Sequence, residues 1–380
     1  MNLVMWKSIS RIKALSIKEF IHLRRDWWLP AFMLIGGAME LLLVGWATSR
    51  PITNLPMVVW DQDRSASSRS LTQSIENTDT FTLAEPLEDM RMIRDRLDRG
   101  QINAALIIPP DYEQQIVSDG RPTLQLLLNG AESLAATNAL RTIEELTREI
   151  GIQLTLQRLG LDPQDLAGFD PSLRVRFNEQ LSEALYTTPA ELGLMLEFTI
   201  LLFAALTFSR EKELGTLESL LVTPYSSLEI IIGKSIPVVL VAITEFFIML
   251  GMIHFFFDVP IRGSLPLLVA LAFIYILPVL AIGLVVSVIS SNQHQAFLLV
   301  MIIGFVNFMF TGYAAPVESM PEFLQLVAQV VPAHHWLVIL RGIALKGADL
   351  GVLWPNLLAL VILTLVIGGI SLRYIRRALE

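Results

Sequence analysis

Three glutamates interrupt long apolar runs of this sequence: Glu40, Glu197 and Glu245. An ionisable side chain at membrane depth is costly and is usually kept for a function, such as binding a cation or relaying a proton. Glu40 and Glu245 fall near the middle of their runs, and Asn307 interrupts a third run in the same way. We predict that Glu40, Glu245 and Asn307 are candidates for a translocation path. The alternative is that each faces a partner helix or a wet cavity, paired there with Thr, Asn or Ser.

The other reactive side chains give no sign of catalysis, of a metal site or of a cofactor. Gly233-Lys234-Ser235 could end a phosphate-binding loop, but the first glycine of that motif would stand at position 228, where the sequence has Leu228. His334 and His335 are adjacent and have no carboxylate cluster beside them. The chain has no cysteine, which excludes disulfides and thiolate ligands. We expect no catalytic residue, no metal and no cofactor bound by this chain, and no basic-aromatic stripe indicates nucleic acid.

The composition indicates that much of the chain faces lipid. The 380 residues are 53% apolar and 17% charged, whereas a soluble chain carries about 25% charge. A hydrocarbon core of about 30 Å requires about 20 helical residues. Six apolar segments meet or approach this length: 29–48, 190–208, 235–257, 264–290, 296–313 and 352–372.

The basic residues near the ends of these segments predict the orientation. If the N-terminus is cytoplasmic, five of the six lysines fall on the inner side. We therefore predict that both termini are cytoplasmic, including the tail 373–380, and that residues 49–188 lie outside. The membrane would be the bacterial inner membrane.

Residues 1–28 have the pattern of an amphipathic interfacial helix. Ile9, Ile12, Phe20 and Trp27 recur at helical spacing with basic residues between them, and such a helix lies in the plane of the membrane surface. The alternative is an ordinary solvated helix. The first span, 29–48, then follows as a retained helix, because the preceding segment is too long for a signal peptide.

The outer segment 49–188 predicts a small α/β domain. Short apolar runs at 56–60, 80–84, 103–109 and 123–128 alternate with helical patterns, which is typical of such a domain. Thr188 and Pro189 form a helix-start pattern at its end, a capping side chain followed by a proline suited to the first turn. The five later spans would fill residues 189–372.

The inside loop 209–234 carries the strongest functional signal. Gly215 and Pro224 bracket a stretch, 216–223, that could form about two helical turns with its leucines on one face. A short helix that offers apolar residues to the cytosol is typical of a docking element for a partner. The alternative is that the helix packs on the cytoplasmic ends of its own spans. The leucines of this face are Leu217, Leu220 and Leu221.

The residues of this loop resemble the signature of type-2 ATP-binding-cassette (ABC) exporter permeases. The matching positions are Arg210, Glu211, Lys212, Gly215, Thr216, Leu217, Glu218, Leu220, Leu221, Thr223, Pro224, Gly233 and Lys234. Lys18-Glu19 and Arg25-Asp26 resemble the N-terminal interfacial helix of that family. The segments Ala315–Pro321, Val331–Trp336 and Leu340–Gly342 resemble its region between the last two spans. Glu213-Leu214, inserted before Gly215, departs from the pattern and leaves the register of the charged residues open.

The resemblance implies a fold and a set of partners. The fold would be mainly α, with six transmembrane helices, the interfacial helix, the extracytoplasmic α/β domain between helices 1 and 2, and an outer re-entrant segment at 314–350. Two permeases, as a homodimer or a heterodimer, would sit on separate cytoplasmic ABC ATPase subunits that hold ATP and Mg. Members of the subgroup with a large outer domain often export drugs or other amphiphilic compounds, sometimes to a periplasmic adaptor protein. Membrane lipids would surround the assembly.

The resemblance also implies which residues engage the ATPase. The helix 216–223 would be the coupling helix, seated in an ATPase groove. The coupling residues would be Glu211, Gly215, Thr216, Leu217, Glu218, Leu220, Leu221, Thr223 and Pro224. This chain itself would not be an enzyme, because ATP hydrolysis would come from the partner subunits.

Two other classes of protein compete with this interpretation. An ion- or proton-coupled secondary transporter would use the intramembrane glutamates and need no ATPase, but such transporters commonly contain inverted repeats, and the sequence has none. A membrane-anchored sensor or scaffold would have one or two spans and a cytoplasmic output domain. Neither feature fits the sequence.

Overall fold

The structure is a computed structural model that describes residues 2–49, 52–118, 122–159, 176–178 and 182–379. Side chains are described for these residues except 2–5, 7, 157–159, 221 and 379. The contacts divide the chain into two units, one formed by Met1–Ser49 with Val175–Glu380 and the other by Arg50–Arg174. Residues 160–175 of the predicted outer segment and Glu380 of the predicted tail lie outside the described residues.

Helices dominate the described part of the chain. In chain order they are α1 Asn2–Arg25, α2 Trp28–Ser49, α3 Ala66–Glu76, α4 Met90–Asp98, α5 Tyr112–Ser118, α6 Ser133–Leu159, α7 Glu183–Glu213, α8 Leu217–Leu221, α9 Ser227–Phe257, α10 Leu265–Ile289, α11 Gln293–Phe310, α12 Glu322–Ala328, α13 Pro332–Lys346 and α14 Leu350–Leu379. The strands are β1 Leu55–Asp61, β2 Phe81–Leu83, β3 Ala104–Ile108 and β4 Gln125–Leu128.

Six of the described helices are long and apolar enough to cross a membrane, as the sequence predicts: α2, α7, α9, α10, α11 and α14. In the larger unit, α7 packs against α2, α9, α10, α11 and α13, and most of its residues are buried. By contrast, α2, α11 and α14 bury few of their residues and leave many large apolar side chains exposed. Exposed apolar helices of this kind are suited to lipid or to another membrane protein.

The predicted start of the second span at Thr188 and Pro189 is wrong. Helix α7 begins at Glu183 and continues through Pro189, with Ser182 at the N-cap position. The Thr188 hydroxyl donates to the Ala184 carbonyl at 2.7 Å and so acts inside the helix rather than capping it. A proline within a membrane helix is tolerated where neighbouring helices and hydroxyl side chains satisfy the backbone.

The segment before the last span contains a sharp bend. Helices α12 and α13 would together be long and apolar enough to span, but they meet at 82°. Val331 stands at the N-cap position of α13, and Pro332 is its first residue, where the missing amide costs no hydrogen bond. This bend lies within the predicted re-entrant segment 314–350.

The smaller unit, which we call the sheet unit, is built on a four-stranded sheet with the order β2-β1-β3-β4. Strand β1 pairs in parallel with β2 and β3, and β4 is antiparallel to β3. Both faces of the sheet are covered: Met57 and Val59 point into a core shared with α3, α5 and α6, whereas Val58 packs with Ile93 of α4. The order of strands and helices agrees with the order that the apolar runs predict.

Candidate functional site

The last turn of α7 carries four consecutive charged residues, Arg210 to Glu213, which between them contact three parts of the larger unit. Arg210 forms an ion pair with Asp26, at the junction of α1 and α2. Glu211 is the centre of a buried network. Lys212 and Glu213 reach the turn between α10 and α11. We call these four residues the α7 terminus.

Lys212 and Glu213 satisfy two neighbouring helix ends. The Lys212 ammonium donates to the carbonyl of Val288 and to that of Ser290, at 3.2 Å, at the C-terminus of α10. A Glu213 carboxylate oxygen accepts from the backbone amide of Gln293, the first residue of α11, at 2.9 Å. Cations suit helix C-termini and anions suit N-termini, because the free carbonyls and amides point at them. The departure from the family pattern at Glu213 therefore has a structural role.

Glu211 joins three other segments through hydrogen-bonded charges. Its Oε1 accepts from the Lys18 ammonium at 2.7 Å and from the Lys234 ammonium at 3.1 Å, and its Oε2 accepts from the Thr216 hydroxyl. Lys234 also donates to Glu19 Oε1 at 2.6 Å. The Lys234 side chain is 0% exposed, so its charge depends on these two carboxylates. Removing an isolated charge from water costs on the order of several kcal/mol, so a buried charge needs partners of opposite charge around it.

Close packing of α1 on α9 places these charges together. A Cβ added at Gly233 would lie only 2.7 Å from the Leu15 Cβ, so a larger residue at this position would push α1 away. The Ser16 hydroxyl donates to the Gly233 carbonyl at 2.9 Å. Gly233 and Lys234 thus act as a pair, because the glycine admits α1 and the lysine binds Glu19 on it.

The short helix α8 follows the α7 terminus after a tight turn. Gly215 has a φ of +69°, in the left-handed region that favours glycine. Thr216 stands at the N-cap position, so α8 covers Leu217–Leu221 and is shorter than the predicted 216–223. At the other end, Pro224 disfavours the helical conformation for Thr223 before it.

The structure corrects the predicted face of this helix. Leu220 is only 6% exposed, and Leu217 packs against the core of the larger unit, so both face their own spans rather than the surface. The side chain of Leu221 lies outside the described residues. The apolar side chains exposed here are Leu214 (60%) and Val222 (85%), one on each side of α8. Periodicity gives the common face of Leu217 and Leu220 but cannot tell what covers it.

Four further exposed residues complete the surface around α8. Gly215, Thr216, Glu218 and Pro224 are exposed, whereas Glu211 beneath them is buried. Of the predicted coupling residues, the structure therefore brings Glu211 and Thr216 into the buried network and leaves Glu218 facing outward. We call the exposed set Leu214, Gly215, Glu218 and Val222 the α8 surface.

The candidate translocation residues do not share one site. The Asn307 amide donates to Glu197 Oε1, and both residues are buried inside the larger unit. Glu245 is also buried, next to Gly37 of α2, and the Thr199 hydroxyl of α7 is its hydrogen-bonding neighbour. Only Glu40 is exposed. Glu245 and Asn307 consequently do not line an open path here, because helix packing within this chain covers them.

Comparison with known proteins decides the family. A sequence model for "ABC-2 family transporter protein" matches residues 27–373. The chain belongs to the ABC-2 transporter family. It is a permease of that family with six apolar helices suited to span a membrane. Permeases of this kind are membrane subunits.

Relatives from Escherichia coli strain K12 align with almost the whole ABC-2 permease. The one named Probable multidrug ABC transporter permease YbhR is 27% identical over 367 residues, which cover 97% of this chain and 98% of that protein. Probable multidrug ABC transporter permease YbhS is 24% identical over 379 residues, with 97% and 98% coverage. Inner membrane transport permease YhhJ is 24% identical over 366 residues, with 96% and 95% coverage.

Sequence reasoning missed a polar cluster of this permease at the other end of α7. The Arg341 guanidinium stacks on the Tyr186 ring at 3.7 Å and donates to the carbonyls of Tyr186 at 2.9 Å and Gly312 at 3.2 Å. The Tyr313 hydroxyl donates to Glu191 Oε2 at 2.6 Å. Burial raises the pKa of Tyr313, and the hydrogen bond to Glu191 raises it further, so the phenol remains a donor. The Leu340-Arg341-Gly342 motif was the feature of the sequence that could have indicated this cluster.

The two histidines are part of the packing around α13. Both nitrogens of the His335 ring are engaged, one with Asn356 Oδ1 at 3.0 Å and the other with the Gln329 carbonyl at 2.9 Å. His334 is buried beside it. Trp336 stacks on Tyr275 at a centroid distance of 5.1 Å. These contacts hold α13 against α10 and α14 and give the histidines a structural role.

Proposed function

We propose that this permease is the membrane subunit of an ATP-driven exporter whose separate cytoplasmic ATPase subunits bind the α8 surface. The observation that carries the proposal is the pair of exposed apolar residues, Leu214 and Val222, beside a short helix whose base is fixed by buried charges. Apolar side chains exposed next to polar ones are typical of a docking surface. The ATP and Mg would be held by the partner subunits.

The buried network provides a route by which a displacement of α8 would move the spans. Thr216 precedes α8 and donates to Glu211 on α7, and Glu211 is bound to Lys18 on α1 and Lys234 on α9. A displacement of α8 must therefore move these helices with it or break charged hydrogen bonds. ATP binding would shift the permease between two states to the extent that the ATPases contact the α8 surface differently in each state.

The orientation and the assembly follow from charge distribution and family. The lysine bias supports cytoplasmic termini, an inner-membrane location and an extracytoplasmic position for the sheet unit. Helices α2 and α11 expose apolar side chains that a second permease, identical or paralogous, would cover. The sheet unit would offer a binding surface to a periplasmic adaptor.

The cargo class rests on relatives and on Glu40. The relatives YbhR and YbhS carry "multidrug" in their names, which supports drugs or other amphiphilic compounds as the cargo. Glu40 on α2 is exposed, whereas Glu245 and Asn307 are buried. We place Glu40 on the path, where its carboxylate would favour cationic amphiphiles.

Co-purification of this permease with its partner ABC ATPase tests the proposal. Replacing Leu214→Asp and Val222→Asp together should abolish co-elution, because two charges would be buried in the interface. A matched control replaces Val117→Asp and Leu134→Asp, two apolar residues of the sheet unit that are equally exposed. The control should co-elute normally. A complex that survives the first pair of substitutions would overturn the proposal.

A further inference from the structure

An apolar groove runs between α9, α10 and α14 on the surface of the larger unit. Its volume is about 480 Å³. The lining residues are almost all aliphatic, and they include Ile231, Leu240, Leu277, Gly368, Leu372 and Ile375. Helices α9 and α14 make few contacts with each other, so the groove is the gap between them.

The groove extends through one leaflet. From Ile231 to Leu240, α9 rises about 14 Å at 1.5 Å per residue, and half of a hydrocarbon core of about 30 Å is about 15 Å. This is the leaflet in which α9 begins and α14 ends. The proposed orientation of the permease makes it the cytoplasmic leaflet. The inference rests on the proposed function only for this assignment of the leaflet.

The residues that line the groove offer a ligand no free hydrogen-bond donor. Its two hydroxyl side chains are already used, because Ser235 donates to the Ile231 carbonyl at 2.7 Å and Ser371 donates to the Ala281 carbonyl at 2.9 Å. A polar ligand would lose its hydrogen bonds to water without replacement. The part of a ligand that lies in the groove must therefore be hydrocarbon.

Positive charge stands at the end of the groove. Arg376 follows Leu372 by one helical turn on α14, which places it on the same side of the helix as the groove. Arg376 is exposed and forms no ion pair within the described residues. Glu229, the acidic residue near the start of α9, is bound to Arg11 at 3.6 Å. An anionic headgroup would find a free partner there, and a cationic amphiphile would be repelled.

We infer that this groove is a binding site for an anionic phospholipid, with one acyl chain between α9 and α14 and the headgroup phosphate at Arg376. The leaflet depth, the absence of free hydrogen-bond donors among the lining residues and the unpaired arginine at the end favour a lipid over a drug. The site is separate from the α8 surface and from the α7 terminus.

Photo-crosslinking to the purified full-length permease in phosphatidylcholine nanodiscs tests the inference. The probes are phosphatidylglycerol and phosphatidylcholine that carry the same photoreactive acyl chain, and mass spectrometry locates the adducts. We expect phosphatidylglycerol to label residues 231–240 and 368–375 about fivefold more than phosphatidylcholine. This is about the gain in affinity that one arginine contributes when it binds an anionic lipid headgroup. Equal labelling by the two lipids would mean ordinary boundary lipid and would overturn the inference.

Two pairs of neighbouring residues supply matched variants. Gly368 and Gly369 both have open space at the Cβ position, but only Gly368 lines the groove. Gly368→Leu should reduce labelling of the groove by both lipids severalfold, and Gly369→Leu should not. Arg376→Gln should bring the ratio of the two lipids close to one, whereas Arg377→Gln, on the other side of α14, should leave it unchanged. Labelling that survives Gly368→Leu, or equal effects of the two arginine substitutions, would overturn the site.

Discussion

Two glutamates of the same helix, Glu211 and Glu197, are both buried, but their surroundings differ. Glu211 at the α7 terminus accepts hydrogen bonds from two ammonium groups and one hydroxyl. Glu197, about four turns earlier, accepts a single amide hydrogen bond from Asn307, and its Oε2 has no partner among the described residues. Glu245 on α9 likewise has one neutral neighbour, the Thr199 hydroxyl, and no ion pair within the described residues.

The network around Glu211 can transmit a displacement between segments, whereas the surroundings of Glu197 only pack two helices together. The charges around Glu211 connect α1, α7, α9 and the turn before α8, so a change in any of them is felt by all four. The hydrogen bond between Glu197 and Asn307 connects only α7 and α11. Removing one charge of the first set should therefore have a larger effect than any change in the second set.

The largest effect is expected for Lys234→Met. The substitution leaves the carboxylates of Glu211 and Glu19 close together without their shared buried cation, and breaking a buried ion pair in this way costs about 3–5 kcal/mol. The melting temperature of the purified permease should fall sharply. Lys346→Met, at an exposed lysine that makes no ion pair in the described part of the chain, is the control.

A double variant makes the test of Lys234 more specific. Lys234→Met combined with Glu211→Gln should recover part of the lost stability, because the two carboxylates no longer face each other without a buried cation. Lys18 loses its carboxylate partner in this variant, but its side chain is 41% exposed and water can solvate it. If Lys234→Met alone unfolds at the wild-type temperature, the α7 terminus does not hold these helices together.

An intermediate effect is expected for Gly233→Ala. The new Cβ would overlap Leu15, and overpacking of this kind costs about 1–3 kcal/mol. Gly251→Ala in the same helix is the matched control, because a Cβ there meets nothing within 4 Å. The melting temperatures of the two variants, measured by thermal unfolding, test this prediction. Similar melting temperatures for the two would contradict the close contact between α1 and α9.

A comparable or smaller effect is expected for Asn307→Ala. It removes the one hydrogen-bond donor to Glu197, and a buried acceptor left unsatisfied costs about 1–3 kcal/mol. The same thermal unfolding assay measures this loss. A loss as large as that of Lys234→Met would remove the distinction between the two regions.

The smallest effect is expected for Glu245→Gln. The amide keeps the shape of the side chain, and its oxygen can still accept from the Thr199 hydroxyl, so the change should cost less than about 1.5 kcal/mol. Transport by the assembled exporter should persist and should not depend on a proton gradient. Loss of transport with normal folding would favour the proton-coupled alternative.

The sequence predicted the spans well because each is a long apolar run, and within a membrane such a run must form a helix to satisfy its backbone hydrogen bonds. It also selected Gly233 and Lys234 as a motif. It could not show that Lys234 binds Glu19, which lies 215 positions earlier, because that contact depends on how α1 packs across α9. For the same reason the sequence left open whether a partner or the chain's own spans cover the face of Leu217 and Leu220. Periodicity describes one helix, and burial depends on its neighbours.

The most direct test of the central claim is the accessibility of Val222 in cells. Because the chain has no cysteine, Val222→Cys provides a single labelling site beside α8. A membrane-impermeant maleimide should label it only after the inner membrane is opened, and co-expression of the ATPase subunit should then protect it. Labelling in intact spheroplasts, or equal labelling with and without the ATPase, would contradict a cytoplasmic docking surface.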